Sequence, residues 1–272
     1  MTAATVAATG NRLPLGAALQ DAIVVARRFL IQLIRTPQLI VFSVVQTVMF
    51  LLLFRYVFGG SVEIPHLDYV DYIIPAFMTQ IAIFEGFGIA IGTANDANSG
   101  LIERFRALPM ARSAFLTGRL LSDTLRMMML LGVVIAVGIA VGFEFHNDAG
   151  SIVAGLGIAL AFGMAMFWVF AWVGLSVRNT ETAQAASTPF FLLVFVSTGF
   201  VRVETLPSWL QAFARNQPVS QVTNAIRGLT EGRAAERLLE HATGHYVVTS
   251  LLWCLVITVV FAPLAIRAYR KN

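Results

Sequence analysis

Lysine is all but missing from this sequence: of its 19 basic residues, Lys271 is the only one that is not arginine. No G-x-x-x-x-G-K-S/T loop can be written within it, which excludes the usual phosphate-cradling device of nucleotide hydrolases from this chain. Cysteine is equally scarce. Cys254 stands alone inside an apolar run, so there is no internal disulfide framework and no thiolate metal cluster. Charge is short as well, at 12% of residues, against roughly a quarter in a soluble domain. With 57% hydrophobic residues and a mean hydropathy of +0.76, the chain has too little polar surface to coat a water-soluble fold and must use lipid as part of its solvent.

What is present is a series of long apolar runs. Crossing about 30 Å of hydrocarbon takes about 20 helical residues. Six segments qualify, near 38–58, 72–93, 120–143, 151–177, 183–201 and 246–266. The expected fold is an all-α integral membrane protein with six transmembrane helices. Residues 1–15 read as a flexible N-terminus, 16–36 as an amphipathic helix and 37–272 as the transmembrane domain. No secretory leader is expected, because arginines interrupt the first 36 residues and no cleavable apolar core stands there. Glycines in "GLGIALAFG" (155–163) are expected to let helices approach closely.

Arginine sets the expected orientation. Twelve basic residues fall on the side of the N-terminus, the second loop, Arg178 and the tail; six fall on the other, and Arg126 lies inside the third span. The first loop on the basic-poor side is acidic, with Glu63, Asp68 and Asp71. Both termini are therefore expected in the cytoplasm, by the positive-inside rule.

Two segments outside the spans are patterned. In "GAALQDAIVVARRFLIQLIRT" (16–36), Ile23, Ala26, Leu30, Leu33 and Ile34 recur at helical spacing, and Arg27, Arg28 and Arg35 supply the charge of a helix lying in the membrane interface. In "VRVETLPSWLQAFARNQPVSQVTNAIRGLTEG" (201–232), Leu206, Trp209, Leu210 and Phe213 form one apolar face, Pro218 interrupts it, and Val222, Ile226 and Leu229 resume it. This pattern predicts two short helices dipping into the outer leaflet, with Trp209 at headgroup depth; a packed lid without substrate contact is the alternative.

Few residues offer chemistry. His241 and His245 are four apart, but Gly244 weakens a helix there and no third ligand is evident, so no metal site is expected. No serine, histidine and acid grouping stands out, and the chain is read as non-catalytic. Glu85, in "QIAIFEGFGIAIG", is a carboxylate in mid-span, either lining a polar pathway or hydrogen-bonded within the bundle. At the entry of the third span, Arg119, Asp123 and Arg126 are spaced to form ion pairs along one helix, or else anchor it at the interface.

The run "GLIERFRALPMARSAFLTGRLLSD" (100–123) resembles the cytosolic loop between the second and third spans of type-2 ABC exporter permeases, most of all the daunorubicin-resistance efflux group. The run "GFVRVETLPSWLQAFARNQPVSQVTNAIRGL" (199–229) is similar to that family's outer segment, in which L-P-x-W-L-Q precedes N-x-P-V and then A-I/L-R-x-L, the last element containing Arg227. The resemblance implies a permease that pairs with a second copy or a homologous permease, in contact with membrane lipids. It also implies docking to separate ABC ATPase subunits, which bind the ATP and Mg that this chain does not. Glu103, Arg104, Phe105, Arg106, Leu108 and Pro109 would form or flank the coupling helix that meets the ATPase, and Leu206, Trp209, Phe213, Pro218 and Arg227 would belong to the outer re-entrant segment. The implied activity is outward movement of a lipophilic drug, polyketide or envelope lipid. A proton-coupled secondary transporter using Glu85, and an assembly protein of the membrane, are the competing readings. No nucleic-acid partner is expected, and arginine-rich, lysine-poor usage points to the cell membrane of an actinobacterium.

Overall fold

The computed structural model describes residues 15–59, 64, 67–106, 114–177, 179–201 and 203–271. Helices account for nearly all of them. α1 (Leu15–Arg35) stops at Thr36, and Pro37 opens α2 (Pro37–Leu53), a first-turn position where its missing N–H costs nothing. α2 ends in a π turn, Phe54–Phe58, which no local sequence signal announced. α3 (Tyr69–Asn98) is followed, after a left-handed Gly100 (φ 67°), by the short α4 (Leu101–Arg106). α5 (Ala114–Ala140) ends at Gly142, whose φ of 103° favours glycine. α6 (Ala149–Ser176) starts at Asp148, whose side chain accepts from Ser151 N.

α7 (Thr180–Phe195), α8 (Ser208–Asn216), α9 (Pro218–Glu231), α10 (Arg233–Glu236) and α11 (Thr243–Lys271) complete the chain, with a 3-10 turn at Val203–Thr205 before α8. Among the described residues five helices are long and apolar enough to cross a membrane: Ile40–Phe58, Tyr69–Asn98, Phe115–Ala140, Ala149–Ser176 and Thr243–Lys271. The segment expected as a span at 183–201 behaves differently. Asn179 caps it early by accepting from Thr182 N at 2.7 Å, and the helix ends at Phe195 after 16 residues. Residues 196–201 form a turn, in which Gly199 comes so close to α3 that a β-carbon there would stand 2.7 Å from Ala76 Cβ.

α3 is the central post, buried on nearly every face and packed by α5, α6, α7 and α9. At 30 residues it measures about 45 Å, more than the hydrocarbon thickness. α6 lies on it, and also on α11. The close approach between α3 and α6 occurs at Gly174, where a β-carbon would stand 2.2 Å from the Ala90 carbonyl oxygen, and at Gly86, where it would strike the Phe170 ring. The run at 155–163 has a lesser part: Gly157 has nothing within 4 Å among the described residues, and Gly155 makes ordinary contacts with α9. Phenylalanines fill the seam between α2, α3 and α7, from Phe54 and Phe77 through Phe200 and Phe195 to Phe191 and Phe84.

At the end of the bundle that holds α1, a separate cluster forms. Phe29 of α1 meets Phe115 at the start of α5 edge-on at 5.9 Å, and Phe115 stacks on Tyr269 of α11 at 5.4 Å. Ile102 of α4 is buried in the same cluster. Val25 and Ala26 of α1 are buried, Leu30 is half-buried, and Ile23, Arg27, Arg28 and Arg35 are exposed.

Candidate functional site

Charged side chains meet along the seam between α3 and α5. These helices run antiparallel, and Arg119, Asp123 and Arg126 recur on one face of α5 at i, i+4 and i+7. Opposite them on α3 stand Glu85 and Asp96, three turns apart. Arg126 Nε donates to Glu85 Oε2, and Arg119 Nη1 donates to Asp96 Oδ2. Arg119 Nε also faces Asp123 Oδ2 at 3.6 Å, close enough for charge attraction and too far for a hydrogen bond. Arg126 thus turns across the seam to Glu85, where spacing along α5 alone pointed it at Asp123.

The room for these cations comes from α3. A β-carbon at Gly92 would stand 2.1 Å from Arg119 Nη2, and one at Gly88 would stand 3.1 Å from Arg126 Nη2. Two glycines four residues apart therefore form slots for two guanidiniums whose carboxylates flank them in the same helix. The Arg119 guanidinium also lies over the Phe29 ring at 5.2 Å, which carries the ladder on to α1. All five charges are largely buried, with side-chain exposures of 9–18%; Glu85 and Asp96 are each compensated by one guanidinium, and Asp123 is a third carboxylate shared with Arg119 by charge attraction alone.

The candidate coupling segment lies at the α1 end. α4 is helical through Arg106 and seated by Ile102, and Glu103 is exposed. The side chains of Arg104, Phe105 and Arg106, and all of Leu108 and Pro109, lie outside the described residues.

At the opposite end, α9 is buried almost throughout against α3, α6 and α11. Pro218 opens it, and Thr223 Oγ1 donates to Thr79 Oγ1 of α3 at 3.1 Å. Arg227 is wholly engaged: Nη2 and Nε donate to the Tyr72 carbonyl at 2.9 and 3.2 Å, Nη1 donates to Asn224 Oδ1 at 2.9 Å, and the guanidinium lies 3.9 Å from the Tyr72 ring centre. It pins α9 to the start of α3. α8 is looser, with Trp209 77% exposed, Phe213 exposed and Leu206 half-buried, so an apolar face points away from the bundle. A cavity of about 350 Å³ opens here among Tyr72, Asn224, Arg227, His241, His245 and Tyr246.

One further set of side chains escaped the sequence reading. His146, in the turn between α5 and α6, pairs through Nδ1 with Glu231 Oε2 at 2.9 Å. Burial pushes the Glu231 carboxyl up to about 7, while its hydrogen bond with Glu231 raises His146 above the usual imidazole value. Asp71 of α3 is the third member of this group.

A bundle of long apolar helices whose interior charges are drawn together in ion pairs is a multi-pass membrane protein. Residues 20–230 match the family model for the ABC-2 type transporter, and the chain belongs to that family. Over 239 residues it is 29% identical to a daunorubicin resistance ABC transporter permease protein of Streptomyces coeruleorubidus, covering 87% of this chain and 81% of the relative. Over 231 residues it is 27% identical to a probable doxorubicin resistance ABC transporter permease protein of Mycobacterium tuberculosis, covering 84% and 80%. A second doxorubicin resistance ABC transporter permease protein of M. tuberculosis is 28% identical over 160 residues, covering 58% and 55%.

Proposed function

We propose that this chain is the membrane-spanning, non-catalytic subunit of an ATP-driven exporter in a bacterial cell membrane. It pairs with a second permease copy or a homologue and docks separate ABC ATPase chains that bind ATP and Mg. Its cargo is a bulky lipophilic molecule such as a drug, a polyketide or an envelope lipid. Both termini face the cytoplasm, α1 lies in the membrane interface as a connecting helix, and α8 and α9 form the outer re-entrant segment.

The observation that carries this reading is the seating of α4. A short helix joins the ends of two spans, and its Ile102 enters the same aromatic cluster that holds α1 and α11. A push on α4 is thereby delivered to the α3–α5 seam, where Arg119 begins the charge ladder, as a lever between a soluble engine and the spans requires. Glu103, Arg104, Phe105, Arg106, Leu108 and Pro109 are the proposed contact to the ATPase.

The proton-coupled alternative needs Glu85 to exchange protons freely, and its engagement by Arg126 weighs against that role. Inverted vesicles containing this chain and a co-expressed ATPase separate the two, with daunorubicin as the probe because of the relatives' names. Uptake should require ATP and persist when an uncoupler collapses the proton gradient. Uptake driven by a proton gradient without ATP would contradict the proposal.

A further inference from the structure

We infer that Asp71, His146 and Glu231 form a binding site for a divalent transition-metal ion, of the zinc class, at the end of the bundle opposite α1. One ligand atom from each residue lies within 4.8 Å of the other two. Imidazole nitrogen and carboxylate oxygen are both ligands that zinc accepts, and three protein ligands leave a fourth position to water. The inference stands apart from the transport reading, because it rests on these three side chains alone.

Three observations support it. The first is charge: Asp71 is 3% exposed and Glu231 is fully buried, so two buried carboxylates converge on one imidazole. A single proton on His146 compensates only one of them, and a divalent cation compensates both. The second is an orphaned atom. Glu231 Oε2 is taken by His146, while Oε1 is buried and has no hydrogen-bond partner among the described residues, an expensive state for a carboxylate oxygen.

The third observation is that the ligands are already held in place by backbone contacts between three elements. Glu144 N donates to Asp71 Oδ1 at 3.2 Å, His146 N donates to the Thr230 carbonyl at 3.0 Å, and Asn147 Nδ2 donates to the Leu229 carbonyl at 3.1 Å. The turn carrying His146 is thus tied to α3 on one side and to the end of α9 on the other, and the bond from Glu144 N orients the Asp71 carboxylate, as hydrogen bonds to ligating groups do in metal sites. Tetrahedral zinc with bonds of about 2.0–2.2 Å needs its ligand atoms roughly 3.4 Å apart, between the 2.9 Å of the His146–Glu231 pair and the 4.8 Å within which all three lie. The His146 side chain is 43% exposed, which provides an entry path.

The expectation of no metal site came from His241 and His245, whose rings stack at 4.6 Å near the cavity with no acidic ligand grouped with them among the described residues. Because that pair could bind zinc weakly by itself, the test is run in a His241→Ala/His245→Ala background. The full-length chain, purified in detergent and stripped with a chelator, is titrated with zinc by calorimetry and followed by thermal unfolding. We expect one zinc per chain and a raised unfolding temperature. His146→Gln, at a half-exposed position that should not disturb folding, should weaken binding by at least about tenfold. Asp71→Asn and Glu231→Gln should do the same, with size-exclusion profiles confirming that each variant is folded. No zinc binding in the background chain, or affinity left within twofold by His146→Gln, would overturn the site and leave His146 and Glu231 as an ion pair only.

Discussion

Arg126 on α5 and Glu85 on α3, 41 residues apart in sequence, form an ion pair inside the bundle, with Gly88 leaving the space that the guanidinium occupies. The pair resolves the question of a lone carboxylate in mid-span, since each charge compensates the other. It also makes the α3–α5 seam electrostatically specific, because sliding either helix by a turn would separate partners.

Glu85→Gln and Arg126→Gln each strand a buried charge, while the double variant strands none. Thermal unfolding in detergent should show the double variant more stable than the summed losses of the two single variants predict. The coupling energy should be about 1–3 kcal/mol. Simple additivity would mean that the pair contributes nothing.

Glycine positions offer a second test. Gly174→Ala drives a β-carbon into the Ala90 carbonyl, which belongs to backbone and cannot swing aside, so a loss of about 1–3 kcal/mol or more is expected. Gly157→Ala meets nothing within 4 Å among the described residues and should be neutral or gain up to about 1 kcal/mol from helix propensity. Unfolding temperatures measured side by side check the contrast.

The aromatic cluster should behave as a joint. Phe115 is 2% exposed and touches both Phe29 and Tyr269, so Phe115→Ala should cost about 3–5 kcal/mol. Proteolysis should then cut α1 faster while α9 stays protected. Equal protection of α1 in variant and parent would show that the helix is held by other contacts.

Trp209 carries a prediction about α8. With its ring 77% exposed on an apolar face, its fluorescence in lipid vesicles should be quenched by labels at shallow lipid positions and spared by an aqueous quencher. Quenching by the aqueous agent alone would place α8 in solvent.

Much of the helical order was legible in the sequence because it depends on local signals. Long apolar runs mark α3, α5, α6 and α11, and helical spacing of apolar residues marks α1, α8 and α9. Within the span expected at 183–201, the turn at 196–201, where Gly199 meets Ala76, is a tertiary feature that hydropathy does not register. Glu85 stood out as a charge in an apolar run, and Arg126 was noted, yet their pairing depends on how two helices rotate about one another. Gly88 and Gly92 were the available signal, four apart beside the acid. The group of Asp71, His146 and Glu231 was out of reach, since it gathers from two helices and a turn with no motif spacing.

The proposed entry of energy through α4, from ATP hydrolysis in another chain, is tested by Phe105→Ala in the full complex. The substitution keeps every charge of the segment, so an arginine anchor set only by membrane topology should tolerate it. Substrate-stimulated ATP hydrolysis, measured at matched membrane expression together with ATPase copurification, should fall sharply if Phe105 is the hot spot of the contact, which corresponds to a loss of about 2 kcal/mol or more. Unchanged hydrolysis and unchanged copurification would contradict the account.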